Sequence, residues 1–335
     1  MSTPGAAHAR GAASARWFAA PGAVAALALA FSLAAAPRAE AYVRYKTKSG
    51  QGFYWPQTCI PLSAYPYSMT DASGGMEMTP DEILHAATAA AAAWSSARPS
   101  ATDPVCTYLR INVTESDAQP RVAGLDYTNI LIFRTTSWCA PSDAPGTCSY
   151  APEALAITSV FVNKVNGRII DGDIEVNSKN FVWTDLDLDP KGTGKQDLQN
   201  ALTHEMGHLI GLDHTCFPPG TPGTPPLDDM GNPVPSCDSA PTSVQQTTMF
   251  ASAIPGDTEK RTLAPDDIRA VCAIYPVASD PMFCPDKDAP PEQQACALAP
   301  GAGGGGAGSA SASVLVGLVV LGALLVAARR RGRRS

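Results

Sequence analysis

The clearest periodic pattern in the chain is "TPDEILHAATAAAAAWSSA", where apolar Ile83, Ala87 and Trp94 recur towards one face of a helix. Thr79 can cap that helix, Pro80 suits its first position, and Glu82 completes a capping box. Four runs bounded by turn residues then alternate β-branched with polar positions: "TYLRINVT", "NILIFRTT", "ITSVFVNKV" and "GRIIDGDIEVN". Each predicts a strand. Helical spacing returns in "DLQNALTHEMGHLIG", with Leu198, Leu202, Met206 and Leu209 as its apolar side. A Pro/Gly-rich loop covers 217–241, and "APDDIRAVCAIY" predicts a last helix. No repeat period interrupts this order, which is that of an α+β domain.

The two ends follow other patterns. Arg10 and Arg16 precede the apolar run "WFAAPGAVAALALAFSLAAA", and Ala39-Glu40-Ala41 has the small-x-small form that signal peptidase cuts. Residues 1–41 therefore read as an export signal that leaves Tyr42 as the mature N-terminus. At the other end, "APGAGGGGAGSASAS" is a flexible Gly/Ser-rich stretch, "VLVGLVVLGALLVAA" (314–328) is uninterrupted apolar sequence, and "RRRGRRS" closes the chain. Those apolar residues rise about 22 Å as a helix, and the small residues before them extend the run towards the roughly 30 Å core of a bilayer. The expected organisation is a domain over 42–285, a linker over 286–311 and a membrane-associated tail over 312–335, its arginines cytoplasmic. The tail resembles the C-terminal sorting signals of myxobacterial surface proteins, with Cys296 in "QQACALAPG" as the candidate motif cysteine. That resemblance implies attachment at the cell surface or outer membrane, or release from it; a plain membrane anchor is the alternative.

Charge narrows the partners. The whole chain carries −7 although both ends are basic, so the part between them is strongly acidic. Such a surface repels nucleic acid, and none is expected as a partner. Nine cysteines in an exported chain suggest disulfides. Cys139–Cys148 and Cys216–Cys237 would each close a Pro/Gly-rich loop; Cys59–Cys106 and Cys272–Cys284 follow by elimination, with Cys296 left over. Acidic runs at Asp171, Asp173 and Glu175, and at Asp185, Asp187 and Asp189, have the alternating oxygens that suit calcium, or are solvated loop acids.

The chemistry concentrates in "ALTHEMGHLIGLDH" (201–214), which holds three of the chain's five histidines. His204 and His208 stand four apart, so a helix projects both imidazoles from one face. Gly211 can end that helix in a left-handed turn, and the chain can bend so that His214 reaches the same point. Three neutral imidazoles would leave a zinc ion one open coordination position, the mark of a catalytic rather than a structural site. Glu205 is then placed as general base and acid for a zinc-activated water, and the reaction class is peptide hydrolysis. His85, on an Ala-rich helix, reads as structural or exposed rather than as a metal ligand.

"HEMGHLIGLDH" matches the HExxHxxGxxH motif of the metzincin zinc peptidases at every fixed position, and within that clan the chain resembles matrixins. The resemblance spans roughly 42–276, with specific motifs from Asp197 onward. It implies a zincin-type α+β fold: a mixed twisted sheet with a helix packed on it, an active-site helix, and a C-terminal subdomain with a Met-turn and final helix. It further implies His204, His208 and His214 as zinc ligands, Glu205 as the catalytic acid/base, and Met249 of "TTMFAS" in the turn beneath the metal. Asp266 and Asp267 would brace the final helix against that turn or the N-terminus, Asp266 by pairing with a Tyr42 ammonium. Substrate would be a protein or peptide lying as an extended strand on a sheet edge. The chain departs from the family in lacking a cysteine-switch propeptide, in lacking histidines for a second zinc, and in the long interval from His214 to Met249. A monomeric exported metalloendopeptidase is expected; the rival functions are a zinc-bearing surface adhesion module without turnover and a cell-wall peptide amidase.

Overall fold

Thr79 accepts the Glu82 amide through its hydroxyl while the Glu82 carboxylate takes the Thr79 amide and hydroxyl, and this reciprocal cap starts α1 (Pro80–Ser95). β1 (Val43–Arg44) and β2 (Cys59–Ala64) precede it. β3 (Arg110–Glu115), β4 (Ile130–Arg134), β5 (Ala154–Asn163), β6 (Ile169–Asn177), β7 (Trp183–Thr184) and β8 (Gln196–Asp197) follow. The remaining elements are α2 (Leu198–Leu209), β9 (Leu212–Asp213), the short α3 (Thr242–Gln245), β10 (Ser252–Ala253), α4 (Pro265–Ile274) and β11 (Val316–Val326). This computed structural model describes residues 42–69, 77–219, 223–285 and 316–326. The expected leader over 1–41, the linker over 286–311 and Cys296 lie outside them.

The architecture is mixed α+β. One sheet has the order β10-β11-β5-β6-β4-β2-β3. β3, β2, β4 and β6 run parallel to one another, whereas β5 is antiparallel to β6. α1 and α2 pack together against this sheet. Ile83, Ala86, Ala87, Ala90 and Trp94 of α1 are all fully buried, and the Trp94 indole N–H donates to the Thr203 carbonyl at 2.8 Å. Burial of Ile83 alone contributes about 2 kcal/mol. A hydrogen bond from one helix to a main-chain oxygen of the other fixes the depth of α2, which carries all but one of the candidate metal ligands.

Four disulfides, Cys59–Cys284, Cys106–Cys272, Cys139–Cys148 and Cys216–Cys237, place the protein in an oxidising environment. The two loop-closing pairs are those expected. Cys59–Cys106 and Cys272–Cys284 are corrected. The C-terminal chain returns over the N-terminal strands, with Thr58 donating its amide to Phe283 and Tyr108 to Tyr275, so each of these four cysteines finds its partner across the fold.

The apolar tail also differs from expectation. Residues 316–326 form a strand rather than a helix, antiparallel to β5 on one side and parallel to β10 on the other. Its valines favour extended backbone, and Gly317 and Gly322 weaken a helix. No helix among the described residues is long and apolar enough to cross a membrane.

Candidate metal centre

Asp197 caps α2, accepting the Asn200 amide at 2.8 Å, and its carboxylate is held by Arg261 at 2.8 and 2.5 Å. Arg261 also reaches Asp185 and Asp187, and Asp185 takes His85 Nδ1 at 2.6 Å. Asp185, Asp187 and His85 thus belong to a network around Arg261 that anchors the helix start, whereas Asp189 lies outside it and faces Lys195 at 3.7 Å.

The other end of α2 is fixed as firmly. The Trp55 indole donates to the Leu209 carbonyl at 2.8 Å, and the Tyr275 hydroxyl to that of Ile210 at 2.7 Å. Gly211 follows at φ +97, where a Cβ would stand 2.8 Å from the Phe53 carbonyl oxygen. The turn there sends the chain through β9, paired antiparallel with β1, and on to His214.

His204, His208 and His214 converge by this route. Their Nε2 atoms form a triangle with sides of 3.1, 3.1 and 3.2 Å. His204 Nδ1 lies 2.7 Å from the Thr248 carbonyl and His208 Nδ1 2.8 Å from that of Leu212. A carbonyl only accepts, so each Nδ1 carries the hydrogen and each Nε2 presents a lone pair. Burial pushes His204 and His214 well below the ordinary imidazole range, reinforced by the neighbouring histidines and Lys260, and pushes His208 down to about 4. The three rings are therefore neutral near pH 7, and His204 and His208 aim their Nε2 lone pairs at the point that His214 Nε2 also faces. Such a set can hold a cation.

The donor spacing fits one. Three tetrahedral metal–nitrogen bonds of about 2.0–2.1 Å put the nitrogens about 3.3–3.4 Å apart, close to the observed triangle. Among the described residues no other group of three or more His, Cys, Asp or Glu brings its ligand atoms within 4.8 Å of one another. The alternative acidic run is engaged elsewhere. Asp171 accepts the Asp126 and Tyr127 amides and Asp173 the Gly124 amide, while Glu175 binds Arg134 and the Tyr150 hydroxyl.

Glu205 is fully buried beside the triad on α2. Met249 is buried against the same helix: a Cβ on Gly207 would overlap its Sδ and come within 2.9 Å of Trp94. Asp267 accepts the amides of Thr248 at 2.8 Å and Ala264 at 3.0 Å, tying the start of α4 to the turn whose Thr248 carbonyl holds His204. Asp266 binds Arg269 at 2.6 Å.

Several contributors carry no motif. Thr158 of β5 sets its hydroxyl 2.6 Å from Glu205 Oε2. Lys260 is buried, donates to the Ser252 carbonyl at 2.9 Å, and lines a cavity of about 260 Å³ with Thr242, Gln245, Phe250 and Ala253. Alternation on β5 marks Thr158 only as a strand residue, and Lys260 follows no spacing rule. The chain matches no described protein family and no curated protein.

Proposed function

We propose that this chain is an exported zinc metalloendopeptidase of the metzincin type, nearest in its motifs to matrixins. The observation that carries the reading is the triangle of three neutral, buried imidazole nitrogens with Glu205 on the same helix as two of them. His204, His208 and His214 would hold the zinc. When bound, it supplies Lewis-acid polarisation of a carbonyl and acidifies a water molecule. Glu205 takes the proton of the attacking water and returns it to the departing amine, so that the C–N bond breaks into a carboxylate and an amine. Thr158 orients the Glu205 carboxylate through its hydroxyl.

The side of β5 away from β6, which β11 pairs in this structure, would give an extended peptide main-chain donors and acceptors next to α2. The Lys260-lined cavity beyond β10 is where a substrate side chain would enter. The disulfides agree with work outside the cytoplasm.

The deciding experiment compares residues 42–311 with the same chain carrying Glu205→Ala on an unfolded protein substrate, counting bound zinc in both. Cleavage by the parent, stopped by a chelator, with an inert Glu205→Ala that still binds one zinc, supports the peptidase. If both bind zinc and neither cuts protein, the site is a binding module; release of wall peptides alone would make it an amidase.

A further inference from the structure

β5 is flanked by β6 on one side. On the other, beside α2, it carries β11, antiparallel from Val316 opposite Asn163 to Leu325 opposite Ala154. β11 in turn runs parallel to β10, with Ser252 opposite Leu325 and Ala253 opposite Val326. The segment therefore lies between the strand that holds Glu205 through Thr158 and the strand that follows Met249. Leu321 stands opposite Thr158 itself, and the register slips between Leu321 and Ala323 and again between Ala323 and Leu325.

We infer that Val316–Val326 is an intrachain occluding strand: it takes the β5 edge that a peptide substrate would take, and turnover requires it to leave. The inference rests on the peptidase reading of the site. A strand edge has one row of main-chain donors and acceptors, so it holds one occupant at a time. Main-chain pairing tolerates any side chain compatible with extended backbone, and a Val/Leu/Ala/Gly run meets that condition. Tethering gives the segment an effective concentration in the millimolar range, above that of a dissolved substrate. The two register slips explain why it blocks rather than serves as substrate. The ladder is regular from Val316 to Leu321 and slips on either side of Ile157, which displaces the segment from regular pairing immediately beyond Thr158. The run that pairs here is also the one whose composition suits a bilayer, and it cannot occupy both places.

The test uses the full chain and a full chain carrying Val319→Pro with Val320→Pro, which removes donors facing both sides of the strand. Two readouts are taken: the cleavage rate on fluorescein-labelled unfolded casein, and amide hydrogen exchange across 154–163. The variant is expected to cut at least about tenfold faster and to exchange faster along β5, while the tail of the parent stays intact by mass spectrometry. Equal exchange in the two chains overturns the pairing. Faster exchange with equal cleavage, or a parent tail cut between Leu321 and Ala323, overturns the occlusion. Faster exchange with no cleavage by either chain brings the proposal down at the peptidase reading rather than at the strand.

Discussion

Thr158 Oγ1 lies 2.6 Å from Glu205 Oε2 and 3.1 Å from the main-chain oxygen of the same residue. A hydroxyl has one hydrogen, and the shorter contact claims it. The sheet thereby sets the direction of a carboxylate carried by the helix. Thr158→Val keeps the shape and removes the donor. We predict a fall in kcat of about tenfold with KM little changed and zinc content unaltered, and recovery of most of the rate in Thr158→Ser. A rise in KM alone, or loss of zinc, would show that Thr158 only supports the fold.

Gly207 stands where α2 crosses the Met249 side chain and the Trp94 ring. Gly207→Ala adds one methyl between two buried groups, only one of which is flexible. Overpacking of this kind costs about 1–3 kcal/mol. Adding Met249→Ala should return part of that loss, because it removes the Met249 overlap while the Trp94 contact remains. A double-mutant cycle from urea unfolding reads the coupling, and strict additivity of the two changes would refute a shared contact.

These examples mark how far the sequence could be read. The α1 cap and the four-residue spacing of His204 and His208 rest on interactions within one turn of helix, and such local rules are visible in the residues themselves. Thr158 meets Glu205 across 47 positions, and Cys59 meets Cys284 across 225; nothing local signals either. β2 escaped because Pro61 sits inside it. The ladder tolerates that proline because β2 pairs with β4 only at Ser63 and Ala64. Residues 316–326 form a strand that escaped for the opposite reason: an unbroken apolar segment satisfies a membrane helix and a strand equally, and periodicity cannot choose between them.

Arg261 joins Asp185, Asp187 and Asp197 while its own side chain is only 10% exposed. Removing the guanidinium leaves Asp185 and Asp197 buried without their cation, at the point where α2 begins. Arg261→Met should therefore destabilise the domain by about 3–5 kcal/mol. Urea midpoints at saturating zinc would measure it. A change below about 1 kcal/mol, the range of an exposed pair, would contradict this account.

The carboxylates of Asp171 and Asp173 supply a pH dependence opposite in sign to the usual acidic pair. Burial pushes Asp171 up to about 7 and Asp173 up to about 9, the charge of Asp171 adding to the second, although amides from the 124–130 loop pull both down. In the unfolded chain both ionise near pH 4. Between that value and the raised ones the folded state binds more protons than the unfolded state, so stability falls as pH rises. Asp173→Asn removes one titration while keeping a side-chain acceptor for the loop. Relative to the variant, the parent should lose stability from about pH 5 to about pH 9. Parallel urea-midpoint profiles for the two chains would mean that these carboxylates are ionised throughout, their loop amides outweighing their burial.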